Sequence, residues 1–264
     1  MKLISERFEA GLVSGLLRLP VVSYYAGTRG GPFVVAWGHR ITGFLALLVF
    51  LFHIYLWKPA PDSGEFFLVR LLLWVWSIPV IFHSFNGARL IQYECWGRRD
   101  DENMLRWVFG LLGVYVLLLA LFMIVGGQRV SPFLYWMMTT AGALATGYAA
   151  WARIWPTGHS LFWKLQRVSG AFLLVMIPAY ILFIAVNPVE SAGAGAVARG
   201  IQFVSLRIIY LLLLLAACFH GGYGVWCVVS DYLSSRVLRK LLAVAVTLLL
   251  LVSLWGGVGI VMRV

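Results

Sequence analysis

A chain of 264 residues, 62% of them hydrophobic and only 12% charged, is too apolar to fold as a soluble domain. Its formal net charge of +11 does not point to nucleic acid, because Lys and Arg fall in short clusters between long apolar runs, with no basic face and no aromatic-interleaved patch. The composition predicts an all-α integral membrane protein, and the connections are too short to hold a soluble catalytic domain.

Residues 1–33 are expected to form a cytoplasmic or interfacial segment. Lys2 is followed by Glu6, Arg7 and Glu9 before any long apolar run, so no cleaved signal is expected. Within this segment 8–24 is apolar but broken by Arg18 and Pro20, too short to span, and is expected to lie along the interface or beneath a partner.

A hydrocarbon core of about 30 Å needs roughly 20 mostly apolar residues in helical form. Seven stretches meet that test, at about 34–57, 66–92, 105–126, 133–152, 163–187, 201–230 and 237–261. The fourth is the most polar, with Thr139, Thr140, Gly142, Thr146 and Gly147. Between them, 58–64, 97–101 and 187–191 carry the turn-forming and charged residues. Cys95, Cys218 and Cys227 show no CxxC spacing, so any iron–sulfur cluster must belong to another chain.

Positively charged connections stay in the cytoplasm. In a seven-span arrangement Lys2, Arg7, Arg18, Arg29, Arg98, Arg99, Arg106, Arg153, Lys164, Arg236, Arg239 and Lys240 fall on one side, and Lys58, Arg129, Arg199 and Arg263 on the other. A bacterial-type inner membrane protein follows, with a cytoplasmic N-terminus and an external C-terminus.

The chain also repeats itself. The first span contains His39-Arg40-Ile41-Thr42-Gly43 and the fifth Gln166-Arg167-Val168-Ser169-Gly170, both reading Arg, β-branched, hydroxyl, Gly. The second span holds His83, Gly87 and Glu94 and the sixth His220, Gly224 and Asp231, with the same offsets. Two parallel three-helix repeats are therefore expected, at 34–127 and 159–264, joined by a linking transmembrane helix within 128–158. The extra crossing is what two units of the same orientation require.

Ionisable groups at membrane depth are expensive and mark functional sites. His83 and His220 lie at matching depths, nine or ten residues from the cytoplasmic ends of their helices, or about 14 Å. Two neutral imidazoles saturate a haem iron and leave an electron carrier, so the pair is expected to ligate one haem b. Gly87 and Gly224, four residues on, would let a flat porphyrin approach the backbone; without haem they would serve close helix packing. Arg40, Arg167 and His39 are placed to reach haem propionates. In a haem-free bundle the arginines would snorkel to the headgroups, but the duplicated pattern is hard to obtain from packing alone. His53 lies toward the outer face with no partner histidine at its level, since His159 is cytoplasmic and Tyr180 occupies the fifth helix there, and reads as structural.

Together these residues resemble the cytochrome b anchor subunits of succinate dehydrogenase (complex II) and fumarate reductase. His39-Arg40-Ile41-Thr42-Gly43 and His83-Ser84-Phe85-Asn86-Gly87-Ala88-Arg89 are similar to the larger single-haem anchor, and His220-Gly221-Gly222-Tyr223-Gly224-Val225-Trp226 with Ser230-Asp231-Tyr232 to the smaller, as if the two were fused. The resemblance implies that Tyr232 donates to a quinone carbonyl, with Arg40 at the same site and Asp231 tuning the pair; the quinone would be ubiquinone or menaquinone. It implies a flavoprotein subunit and an iron–sulfur subunit as partners, docking on the basic cytoplasmic loops, and a chain that alone does not oxidise succinate. Family members of this type usually carry a serine four residues before the arginine, where this chain has Ala36.

Other readings fit less well. The anchor of a hydrogenase or formate dehydrogenase would not explain the Arg, β-branched, hydroxyl, Gly repeats. A retinal protein needs a mid-membrane lysine in its last helix, and Lys240 lies near that helix's start. Transporters typically break helices at the midplane, whereas Pro79 and Pro178 are isolated.

Overall fold

The computed structural model describes residues 31–55, 66–97, 101–125, 130–186 and 204–262. Among these residues every regular element is an α-helix, and there are seven: α1 Gly31–Tyr55, α2 Phe66–Trp96, α3 Asp101–Val125, α4 Pro132–Ile154, α5 Leu161–Val186, α6 Val204–Tyr232 and α7 Arg236–Met262. Helix is what such segments must adopt in lipid, since it satisfies each backbone N–H and C=O internally. Phe33–Phe52, Asn103–Phe122, Leu161–Val186, Val204–Tyr232 and Arg236–Gly259, five of the seven helices, are long and apolar enough to cross a membrane by length and composition alone. In α2 and α4 the apolar run is diluted, by Arg70, His83, Asn86, Arg89 and Glu94 in one and by threonines, glycines and alanines in the other.

Each expected span corresponds to a helix, with ends shifted by a few residues. α2 continues to Trp96 and α3 begins at Asp101, because backbone hydrogen bonding runs past the last apolar side chain. The interfacial segment 8–24 lies outside the described residues. So do Lys2, Arg7, Arg18, Arg29, Lys58, Arg98, Arg99, Arg129, Arg199 and Arg263, on which the orientation partly rests.

The sequence writes the helix starts plainly. Pro132 opens α4 at a position where its missing N–H costs nothing. Ser160 and Ser235 precede α5 and α7, and each hydroxyl accepts from the backbone N–H three residues on, Trp163 at 3.4 Å and Leu238 at 3.3 Å. The turn between α4 and α5 is closed by the Lys164 ammonium, which donates to the Trp155 carbonyl at 2.7 Å.

Four helices form the centre: α1 packs on α2, α2 on α5, α5 on α6, and α6 on α1. Around this ring α3 lies against α2 and α5, α7 against α6 and α1, and α4 chiefly against α5. The α4 interface is a stripe at helical spacing, Trp136, Thr140, Ala143, Gly147, Ala150 and Ile154, whose small members let the two backbones approach. Trp136, 1% exposed, anchors a cluster with Phe172, Met176, Leu206 and Ile209. Pro178 sits inside a continuous α5, and the tyrosines of two neighbours pin the turn: Tyr115 donates to the Pro178 carbonyl and Tyr135 to that of Ala179 at 2.7 Å. The outer surface is apolar, with Ile124 79% and Trp255 82% exposed, the inverse of a soluble protein and what lipid contact requires.

Candidate functional site

His83 of α2 and His220 of α6 meet inside the ring of four helices. Their ring centroids are 6.3 Å apart and the planes cross at 80°. Nδ1 of His83 lies 3.0 Å from the His39 carbonyl and Nδ1 of His220 3.2 Å from that of Gln166. A carbonyl only accepts, so Nδ1 carries the proton in both rings and the Nε2 lone pair is left for another partner.

The residues fit an iron held between two imidazoles. A metal–nitrogen distance of about 2 Å and a nitrogen-to-centroid distance of about 1.2 Å put two such rings roughly 6–6.5 Å apart. Two buried polar atoms beside the histidines have no protein partner, Nδ1 of His39 and Oε1 of Gln166. The His39 ring stacks on His83 at 4.0 Å with 6° between planes, while Gln166 donates its Nε2 to the His220 carbonyl at 3.1 Å. Among the described residues no group of three or more His, Cys, Asp or Glu could hold a bare metal ion. A porphyrin brings its own nitrogens and needs only two.

Two ion pairs lie where α2 and α6 end. Arg40 of α1 spans two residues of α6: Nη2 donates to the Asp231 carboxylate at 2.9 Å and Nη1 to the Tyr232 hydroxyl. The Tyr232 ring lies under the guanidinium at 5.4 Å and beside Trp37 at 5.6 Å. The three residues named for the quinone are thus in mutual contact, with Arg40 and Asp231 well exposed. Arg167 of α5 makes a two-point pair with Glu94 of α2, through Nε and through Nη2 at 2.6 Å, and lies 4.7 Å over the Trp163 ring.

Of the residues expected at the propionates, His39 stands with its free ring nitrogen beside the histidine pair, while Arg40 and Arg167 are engaged with carboxylates. Sequence reasoning missed Arg89, which is 5% exposed and donates Nε to Asn86 at 2.9 Å, with Tyr93 below it. Arg89 and Arg167 both lie within electrostatic range of His39. The signal was present in the sequence, since an arginine six residues after a mid-membrane histidine is an ionisable group at depth. Gln166 was likewise read only as part of a motif, although an amide 7% exposed in a membrane helix needs partners.

Gly87 and Gly224 face His39 and Gln166, the residues just before the motif arginines. A Cβ on Gly87 would meet His39 Cε1 at 3.5 Å and one on Gly224 would meet Gln166 Nε2 at 3.6 Å, both ordinary contacts. Protein packing therefore does not demand glycine at either place. His53 belongs to α1, and its side chain lies outside the described residues.

No curated protein and no solved structure matches the chain. A family model does match, described as the succinate dehydrogenase/fumarate reductase transmembrane subunit, at residues 150–254. That stretch contains α5, α6 and most of α7, and so carries Gln166–Gly170, His220, Asp231 and Tyr232. Over residues 150–254, about two fifths of its length, the chain is similar to the transmembrane subunits of succinate dehydrogenase and fumarate reductase.

Proposed function

We propose that this chain is the haem b- and quinone-binding membrane anchor of a succinate:quinone oxidoreductase, passing electrons between a soluble flavoprotein and iron–sulfur pair and membrane quinone. The observation that carries the reading is the opposed pair His83 and His220, each with Nδ1–H bound to a helix carbonyl and Nε2 free, at a separation suited to one iron.

His83 and His220 would hold the iron of one haem b, which when bound would supply one-electron redox chemistry. His39, with Arg89 and Arg167 within electrostatic range of it and Arg40 next to it in the chain, forms a donor-rich side suited to propionates. Gly87 and Gly224 leave the ring edge open to a flat group.

The quinone substrate is held at Arg40, Asp231 and Tyr232. Because Arg40 donates to the tyrosine oxygen, the Tyr232 O–H is free to donate elsewhere, and a quinone carbonyl is the partner it suits. Asp231 holds the guanidinium from its other side, which fixes the direction of that hydroxyl. Reduction of quinone to quinol takes two electrons and two protons, and Tyr232 with Asp231, both exposed, relays protons from the aqueous side.

All seven helices span, as two parallel repeats, α1–α3 and α5–α7, with α4 as the link. The packing supports this: α3 covers α2 and α5 as α7 covers α6 and α1. The N-terminus is cytoplasmic, the C-terminus external, and the soluble partners dock on the cytoplasmic end.

The test is to express the chain with and without a flavoprotein and iron–sulfur pair. The reading expects one haem b per chain by haemochrome assay in both preparations, and succinate-dependent quinone reduction only in the assembled complex. Purified chain without haem, or an assembled complex that reduces no quinone, contradicts it.

A further inference from the structure

The ion pairs use only the first position of the motif Arg, β-branched, hydroxyl, Gly. Its last two positions do something else, and do it twice. A Cβ built on Gly43 would lie 2.7 Å from Cε1 of His83 and 3.1 Å from Nδ1, and one on Gly170 would lie 2.9 Å from Cε1 of His220 and 3.4 Å from Nδ1. Carbon atoms in contact stand about 3.5–4.0 Å apart, so with any other residue at either place the ring would have to move.

The same rings donate to the carbonyls four residues before those glycines, His39 and Gln166. In an α-helix such a carbonyl already accepts the glycine's own N–H. The imidazole reaches it from the side because no Cβ stands in the way. The hydroxyl of the motif meets the same oxygen: Thr42 Oγ1 is 3.2 Å from the His39 carbonyl and Ser169 Oγ 3.1 Å from that of Gln166.

We propose that Thr42-Gly43 and Ser169-Gly170 are positioning residues, each pair forming a cradle that fixes the tautomer and direction of one axial histidine, with the hydroxyl setting how firmly Nδ1–H is held. This rests on the haem reading above. The glycine makes room, the carbonyl takes the proton, and the hydroxyl competes for the carbonyl's two lone pairs.

The competition differs between the halves. Thr42 has a shorter partner in the Gly38 carbonyl, at 2.7 Å, which leaves the His39 oxygen to His83. Ser169 bonds the Gln166 oxygen itself and also lies 3.4 Å from Nδ1 of His220, whose own bond is the longer of the two. A firmly held Nδ1–H makes Nε2 a stronger donor, which favours the oxidised metal. His83 is thereby the stronger ligand and His220 the weaker.

The test uses the haem-loaded chain in its assembled complex, read by redox titration and paramagnetic resonance. Ser169→Ala removes the competing hydroxyl, and with it the 3.4 Å approach to Nδ1, while leaving His220 itself and the Gln166 carbonyl in place, so the haem midpoint potential should shift negative with haem content unchanged. Gly43→Ala and Gly170→Ala should alter the low-spin g-values or lose haem; should either not assemble, Ser169→Ala decides. An unchanged or positive shift in Ser169→Ala, or unchanged spectra in assembled glycine variants, overturns the cradle while haem loss in His83→Ala leaves the haem reading standing. A wild-type complex with no bis-histidine signal overturns both.

Discussion

Arg40 and Asp231 stand 191 positions apart in the chain and 2.9 Å apart in the fold. Arg167 and Glu94 repeat the relationship in the opposite sense, so each arginine pairs with the acid of the other half. These pairs tie α1 to α6 and α5 to α2 where the histidine-bearing helices end. Exposed pairs contribute about 1 kcal/mol or less, whereas a two-point pair that is less exposed contributes about 1.5–3 kcal/mol. Glu94→Gln should therefore lower stability in detergent more than Asp231→Asn. Exchanging charges as Glu94→Arg with Arg167→Glu should recover most of what either single change loses, read by thermal unfolding.

Tyr232→Phe removes the one hydroxyl that Arg40 orients. Quinone reduction by the assembled complex should fall by about a hundredfold, the low end of what a positioned proton donor contributes, with haem content unchanged. An unaltered rate at saturating quinone would remove Tyr232 from the site.

Arg40 reaches Asp231 and Tyr232 with two different nitrogens, which a lysine's single ammonium cannot reproduce. Arg40→Lys should raise KM for quinone and lower kcat together, despite the retained charge. Steady-state kinetics across quinone concentrations separate this from a purely electrostatic role, which would leave both near the wild-type values.

Ala36 is exposed on α1, one turn from Arg40. A serine there would add a hydroxyl beside the proposed quinone site. One additional hydrogen bond is worth about 1 kcal/mol, so Ala36→Ser should lower KM for quinone about fivefold. No change in KM would mean that the substrate does not reach that turn.

The positions of the helices were legible because a bilayer demands long apolar runs, and every such run became a helix. So were His83, His220 and the two motif arginines as candidates, since an isolated histidine or arginine in such a run is expensive enough to notice. Their partners were not. The offset from His83 to Gly87 was read along one helix as space for a ligand, whereas the glycines that seat the rings, Gly43 and Gly170, belong to the helices across from them. The crossed pairing of Arg40 with Asp231 and Arg167 with Glu94 was hidden for the same reason: spacing within a helix specifies a face, and only packing decides what that face meets.

Tyr135 donates to the Ala179 carbonyl beside the Pro178 turn, away from the histidines. Tyr135→Phe should cost about 1 kcal/mol of stability and leave the haem spectrum as it was. A changed spectrum would mean that the turn at Pro178 sets the position of the ligand helices.

The central claim is that His83 and His220 grip one iron. The most direct measurement is the paramagnetic resonance spectrum of the oxidised, purified chain beside His83→Ala and His220→Ala. A low-spin ferric signal in the wild type, lost in both variants, is the expected result; the same signal surviving in either variant contradicts the assignment.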